Sequence, residues 1–208
     1  FRLFFVLFLV GHIFFVFYYL LFVFSVIGEV RKECLIRSST AQPGDDIVFV
    51  MDIDGHYPKN IPYAWVTTLD KDPKIVREQM EAAAIVADER LVHSGKDMSN
   101  PGCVGTLGMM LECSGVGATV DIEKIPVPRN CDDLIRWILC YQGCGFVYAC
   151  PPENSARVIE IFEKVKCVGA VVGKVNDSKK LDLTMDGQTG TLFDFSKDII
   201  TGCKPKSR

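Results

Sequence analysis

The sequence predicts an α+β fold in which a mixed β-sheet is layered with helices. Three observations carry this. Apolar runs of strand length alternate with segments whose apolar residues recur at three and four, so both element types are present. The elements come as strand, strand, helix, helix, strand, helix, strand, helix, strand and hairpin, without the strict strand–helix–strand rhythm of a doubly wound parallel sheet. The last two strand-like runs, "LDLTM" and "TGTLFDF", flank Asp186-Gly187, a tight-turn signal.

Each element has its own warrant. "VFSVIGEV" reads as a strand, and "RSSTAQPGDD" as a turn punctuated by Pro43-Gly44. "DIVFVMDID" is a half- or fully buried strand, and "GHYPKNIPYAW" a loop with two prolines. Asp72 caps the first helix and Pro73 takes its first position, where a missing N–H costs nothing. Its apolar face is expected to be Val76, Met80, Ala83, Ala84, Ala87 and Leu91, with Gly95 as the stop. A second helix follows Asn100-Pro101, and "ATVDIEKIPV" is a strand ended by Pro126 and Pro128. "CDDLIRWIL" is a short helix, "GFVYAC" a strand, "ENSARVIEIFEKV" a helix and "VGAVVGKV" a strand.

Composition narrows the function. The 208 residues suffice for one ordinary domain and a small extra piece. A net charge of -3 gives no basic excess, which argues against a nucleic-acid partner. Nine of the 14 Phe lie between Phe1 and Phe24. That run, residues 1–25, is long enough to span a bilayer as a helix, and Arg31, Lys32 and Arg37 would then keep the following domain in the cytoplasm. Its monotony, and the lack of a polar linker before "SVIGEV", equally suit translation in a wrong reading frame. No small-residue cleavage site follows it, so a signal peptide is not expected. The chain does not begin with Met, and a fragment end or a processed end is the expectation. Residues 26–208 form the second division of the chain.

Nine Cys make no metal site, because no CxxC pair occurs. Buried, reduced thiols in a cytoplasmic protein are expected. Cys144 in "GCGF" has no neighbouring base and is expected to be structural. Asp52 and Asp54 share a strand face. A solvated strand end is expected there, with a metal pair as the alternative. Met109 and Met110 are expected to pack, and His56 and His93 to face solvent.

The segment from Asp97 to Gly105 is the candidate functional loop. With Asn100 as cap and Pro101 as first helical residue, the amides of Gly102 and Cys103 would be free at the helix start, where the dipole favours an anion. Gly102 and Gly105 allow a ligand to approach the backbone. Asp97 is suited to a magnesium-bound water or a backbone amide, and Ser99 to a phosphate oxygen. The alternative is that Asp97 and Asn100 satisfy those amides themselves.

"GTLGMMLECSGVGATVDIEKIPVP", "GFVYACPPENSARVIEIFEKVKCVGAVVGKV" and "VIGEV" with Arg37-Ser38-Ser39 and "AQPGDDIVFVMDID" stand in one order. Together they resemble the C-terminal domain of the AIR synthase-related, PurM-like superfamily, over roughly Val26 to Gly202. The resemblance implies a PurM-like C-terminal domain forming one wall of a cleft for ATP and Mg2+. It implies nucleotide or phosphate contact by Asp97, Ser99, Asn100, Gly102 and Gly105, and a homodimer in the complete protein. It also implies that the metal-binding acids belong to an N-terminal domain that this sequence lacks, so the chain is expected not to turn over alone. Pro101 departs from the family's pattern, since a glycine often stands there. Val10-Gly11-His12 falls where the superfamily carries a Gly-Gly-His-Thr-like loop, which suits a frame error upstream of Val26. The alternative function is a membrane-anchored, non-catalytic ligand-binding or regulatory domain, held by residues 1–25.

Overall fold

The structure is a computed structural model that describes residues 28–129, 131–203 and 205. The chain divides into two compact units, residues 1–35 and 36–208. The Phe-rich segment 1–25 lies outside the described residues, as does most of the strand expected in "VFSVIGEV". Its described part, residues 28–30, is not strand, and a single 3-10 turn, Lys32–Cys34, follows. Among the described residues no helix is long and apolar enough to cross a membrane.

The second unit holds nine strands and four α-helices among its described residues, with a 3-10 turn at Ile122–Lys124. They are β1 (Asp46–Met51), β2 (Ala64–Trp65), α1 (Pro73–Asp88), β3 (Ser94–Asp97), α2 (Gly102–Ser114), β4 (Gly117–Asp121), α3 (Leu134–Leu139), β5 (Tyr141–Gln142), β6 (Gly145–Cys150), α4 (Pro152–Glu163), β7 (Val168–Asn176), β8 (Lys180–Met185) and β9 (Gln188–Asp194). Seven strands form one sheet in the order β3-β6-β1-β7-β4-β8-β9, and β2 and β5 form a separate parallel pair. Within the large sheet only β4–β8 is parallel, so the mixed α+β sheet expected from the sequence is what forms.

β1 explains the layering. Its six residues are all buried, because period-two alternation sends them into two cores. Ile47, Phe49 and Met51 pack with α2 residues Leu107, Met110 and Leu111 and with Trp137 of α3. Val48 and Val50 pack with Ala82 and Val86 of α1 and with Val158, Ile161 and Phe162 of α4. Each such side chain contributes about 1.5–3 kcal/mol on burial, so covering both faces of the sheet dominates the stability.

Asp72 caps α1 as expected, accepting from the Lys74 amide at 2.8 Å. The buried face is rotated from the expected one. Gln79, Ala82 and Val86 point inward, while Met80 and Ile85 are exposed. The helix ends at Asp88, not at Gly95, because Gly95 belongs to β3. That strand, "SGKD", has no apolar pattern to announce it and lies at the sheet edge. The β8–β9 turn has positive φ at both Asp186 (51°) and Gly187 (73°), the conformation that matches the twist of a hairpin.

Candidate functional site

The ends of several strands meet at one edge of the sheet. Asp97, the last residue of β3, pairs with Phe146, and Met51, the last of β1, pairs with Gly145 and with Val168. The loops leaving β1 and β3 therefore lie beside those entering β6 and β7. The Met98 amide donates to the Gly145 carbonyl at 2.9 Å, and the Asp52 amide to the Cys144 carbonyl at 2.9 Å.

The expected residues lie along this rim. Asp97 is exposed, with Lys96 Nζ 3.2 Å from its Oδ1. Both residues line a groove of about 370 Å³ with Ile36, Ser38, Phe146 and Tyr148. The Ser99 amide donates to the buried Thr106 hydroxyl at 3.0 Å, and its carbonyl accepts from the Gly102 amide at 2.8 Å. Asn100 is exposed.

The helix start differs from expectation. α2 begins at Gly102 with Pro101 in the capping position and no side-chain cap, so Asn100 is not the cap. The Gly102 amide is not free, because Ser99 holds it. The Cys103 thiol donates to the Ile138 carbonyl at 3.8 Å, and burial pushes its pKa up to about 12. Gly102 has φ +70°, and a Cβ there would run into the Ile138 carbonyl oxygen. Its lack of a side chain thus admits the end of α3. A Cβ on Gly105 would press on Pro101 at 2.5 Å.

Asp52 corrects a second expectation. It is no solvated strand end, being fully buried. Its carboxylate accepts from Lys71 Nζ, from Gln79 Nε2 at 2.8 Å and from the Asp54 amide at 2.9 Å. Asp54 is exposed, and no cluster able to hold a metal ion occurs among the described residues. His56 and His93 are both exposed, as expected, His56 3.9 Å from Asp70 and His93 2.8 Å from the buried Asp45. Cys144 is buried in one cluster with Cys167, as a structural thiol is. Met110 is fully buried.

Sequence reasoning missed the β2–β5 pair beside this rim. There Trp65 Nε1, Thr67 Oγ1 and Gln142 Oε1 are buried without a hydrogen-bond partner among the described residues. Thr67 and Lys71 line a cavity of about 210 Å³ with Asp54, Gly55, His56 and Asp70. Pairing across two-residue strands leaves no periodicity to read.

Comparison with known proteins places this geometry. Residues 54–186 match the family described as AIR synthase related protein, C-terminal domain. The chain belongs to that family. An uncharacterised protein of Methanocaldococcus jannaschii is 43% identical to this AIR synthase-related chain over 179 residues, covering 86% of it and 55% of the relative. Phosphoribosylformylglycinamidine synthase subunit PurL of Haloarcula marismortui is 22% identical over 179 residues, covering 79% and 25%. Among solved structures, phosphoribosylformylglycinamidine synthase II of Thermotoga maritima superposes with a TM-score of 0.67 at 21% identity, over 81% of this chain and 28% of that one. Hydrogenase maturation protein HypE in complex with ATP superposes with a TM-score of 0.62 at 14% identity, over 81% and 56%. At these identities the superpositions establish the fold, that of the PurM-like C-terminal domains. The chain spans about half the length of the first curated relatives it matches, 55% and 53%.

Proposed function

We propose that this AIR synthase-related domain forms one wall of a nucleotide cleft in an ATP-dependent enzyme. The observation that carries the reading is the family match to a chain whose Asp97–Gly105 loop borders a groove at the rim where β1, β3, β6 and β7 converge. Support comes from relatives of the same fold: Thermotoga maritima PurL was solved with ADP, AMPPCP and ATP, and HypE with ATP. Other relatives are described in assemblies, the HypE–HypF complex and PurLQS, which suits a domain that works as part of a larger body.

The residues fit Mg2+–ATP unequally. Asp97, with an exposed carboxylate, suits a magnesium-bound water, and Ser99 and Asn100 suit polar contact beside it. Gly102 and Gly105 act in this reading by shaping the loop, since α3 and Pro101 occupy the space beside them. Bound Mg2+ would supply charge neutralisation at the phosphates. This chain's residues bind and orient. A homodimer in the complete protein, and a place in the cytoplasm, belong to the same proposal.

The test is nucleotide binding and phosphate release. The chain alone is expected to release no phosphate from ATP above background. Mixed with the N-terminal half of the M. jannaschii relative it is expected to bind ATP. Asp97→Ala is then expected to weaken binding about tenfold, the loss of one charged contact. Turnover by the chain alone, or binding indifferent to Asp97→Ala, would overturn the reading.

A further inference from the structure

The segment Asp198–Cys203, with Pro205 beyond it, is laid along α2, and Gly108 in that helix and Gly115 at its C-cap make the track. Ile200 Cδ1 lies 2.9 Å from where a Cβ on Gly108 would stand, and the Pro205 ring 2.7 Å from a Cβ on Gly115. Between these points Glu112 holds the segment with four hydrogen bonds. Its carboxylate accepts from the Ile200 amide at 3.0 Å, the Thr201 amide at 2.8 Å, the Thr201 hydroxyl at 2.6 Å and the Gly202 amide at 3.2 Å. Gly202, at φ +73°, turns the chain back over the helix.

This arrangement brings two thiols together. Thr201 Oγ1 lies 3.8 Å from Cys113 Sγ and accepts from the Cys203 amide at 3.1 Å. The Thr201 hydroxyl thus brings the Cys113 thiol and the Cys203 backbone to one point. Cys203 is exposed and Cys113 half-buried. We propose that Cys113 and Cys203 form a thiol–disulfide exchange site, which takes a low-molecular-weight disulfide and closes into a cross-link between α2 and this segment.

The chemistry divides between the two residues. The Cys203 thiolate, the accessible one, attacks one sulfur of the small disulfide RSSR. The small S–S bond breaks, a Cys203–SR bond forms, and RS⁻ leaves. The Cys113 thiolate then attacks the Cys203 sulfur, forms the protein disulfide and expels the second RS⁻. Two protein thiols are oxidised, and one small disulfide is reduced to two small thiols that take up the two protons. Burial raises the Cys113 pKa, partly offset by Thr201, which suits a residue that reacts only once its partner is held beside it. Cys144 and Cys167 share one buried cluster and are only 2% and 4% exposed, so they serve as an internal control for access.

The test uses the full chain with oxidised glutathione at about pH 8, near the ordinary thiol pKa. Intact mass is expected to fall by two hydrogens without a retained adduct, and non-reduced peptide mapping to join Cys113 to Cys203. Cys113→Ser is expected to stop the reaction at a stable glutathione adduct on Cys203, and Cys203→Ser to abolish the rapid phase. Far-UV circular dichroism checks that both variants fold. An adduct on Cys203 of the unsubstituted chain that never resolves, or no reaction at Cys203, would overturn the proposal.

Discussion

Asp52 places a buried carboxyl group just past the end of β1 and is tolerated because Lys71 and Gln79 meet it there. Lys71 is itself nearly buried, its side chain 11% exposed. Removing the cation leaves a buried carboxylate with neutral donors alone. Lys71→Met is therefore expected to lower stability by about 3 kcal/mol in urea unfolding. Asp52→Asn combined with Lys71→Met is expected to recover more than half of that loss, because the pair then leaves together. A single variant no less stable than the unsubstituted chain would contradict the account. This network also explains where sequence reasoning erred on α1. Gln79 looks like a surface residue, and only the carboxylate across the interface gives it reason to turn inward.

At the scale of elements, α2 is fastened at both ends. At its start Gly102 lets α3 pack against its backbone, and at its end Glu112 holds the Ile200–Gly202 backbone. Burial acts to raise the Glu112 pKa, but the Thr201 hydroxyl and the amides of Thr201, Ile200 and Gly202 outweigh it and hold the carboxyl below its usual range. A depressed folded-state pKa gives stability that is complete above the unfolded value, about 4.3, and is lost as pH falls through the folded one. Hydrogen exchange at residues 200–202 is thus expected to stay slow at neutral pH and to speed up below about pH 4, beyond the intrinsic change in exchange rate. Equal protection at neutral pH and at about pH 3 would exclude Glu112 as the fastener. The long elements were legible because their apolar periodicity spans several turns or most of a strand. β3, β2 and β5 were not, since four residues of "SGKD" and two-residue strands draw their pairing from neighbours supplied by the rest of the fold.

The whole molecule was legible through order more than through any single segment. The runs around β1, α2 with β4, and β6 with α4 and β7 occur in the sequence of a PurM-like C-terminal domain, and they pack as one. That a helix follows Asp97–Pro101 was readable too. What the linear pattern hid was that the helix start is filled by the protein's own backbone and thiol.

The topology also has a consequence for how the chain is made. β1 is the most fully buried strand, yet Asp46 pairs with Cys150 and Met51 with Val168, so both neighbours are synthesised about 100 or more residues later. At ribosomal speeds of about 5–20 residues per second, the bare "DIVFVM" stretch waits roughly 5–20 s for its first partner. Nascent chains halted before Gly145 are therefore expected to bind holdase chaperones, and chains extended through Asn176 to be released from them. Equal retention at both lengths would mean that the stretch finds shelter earlier. A strand that ends as the best-protected part of the protein begins as its most vulnerable part on the ribosome.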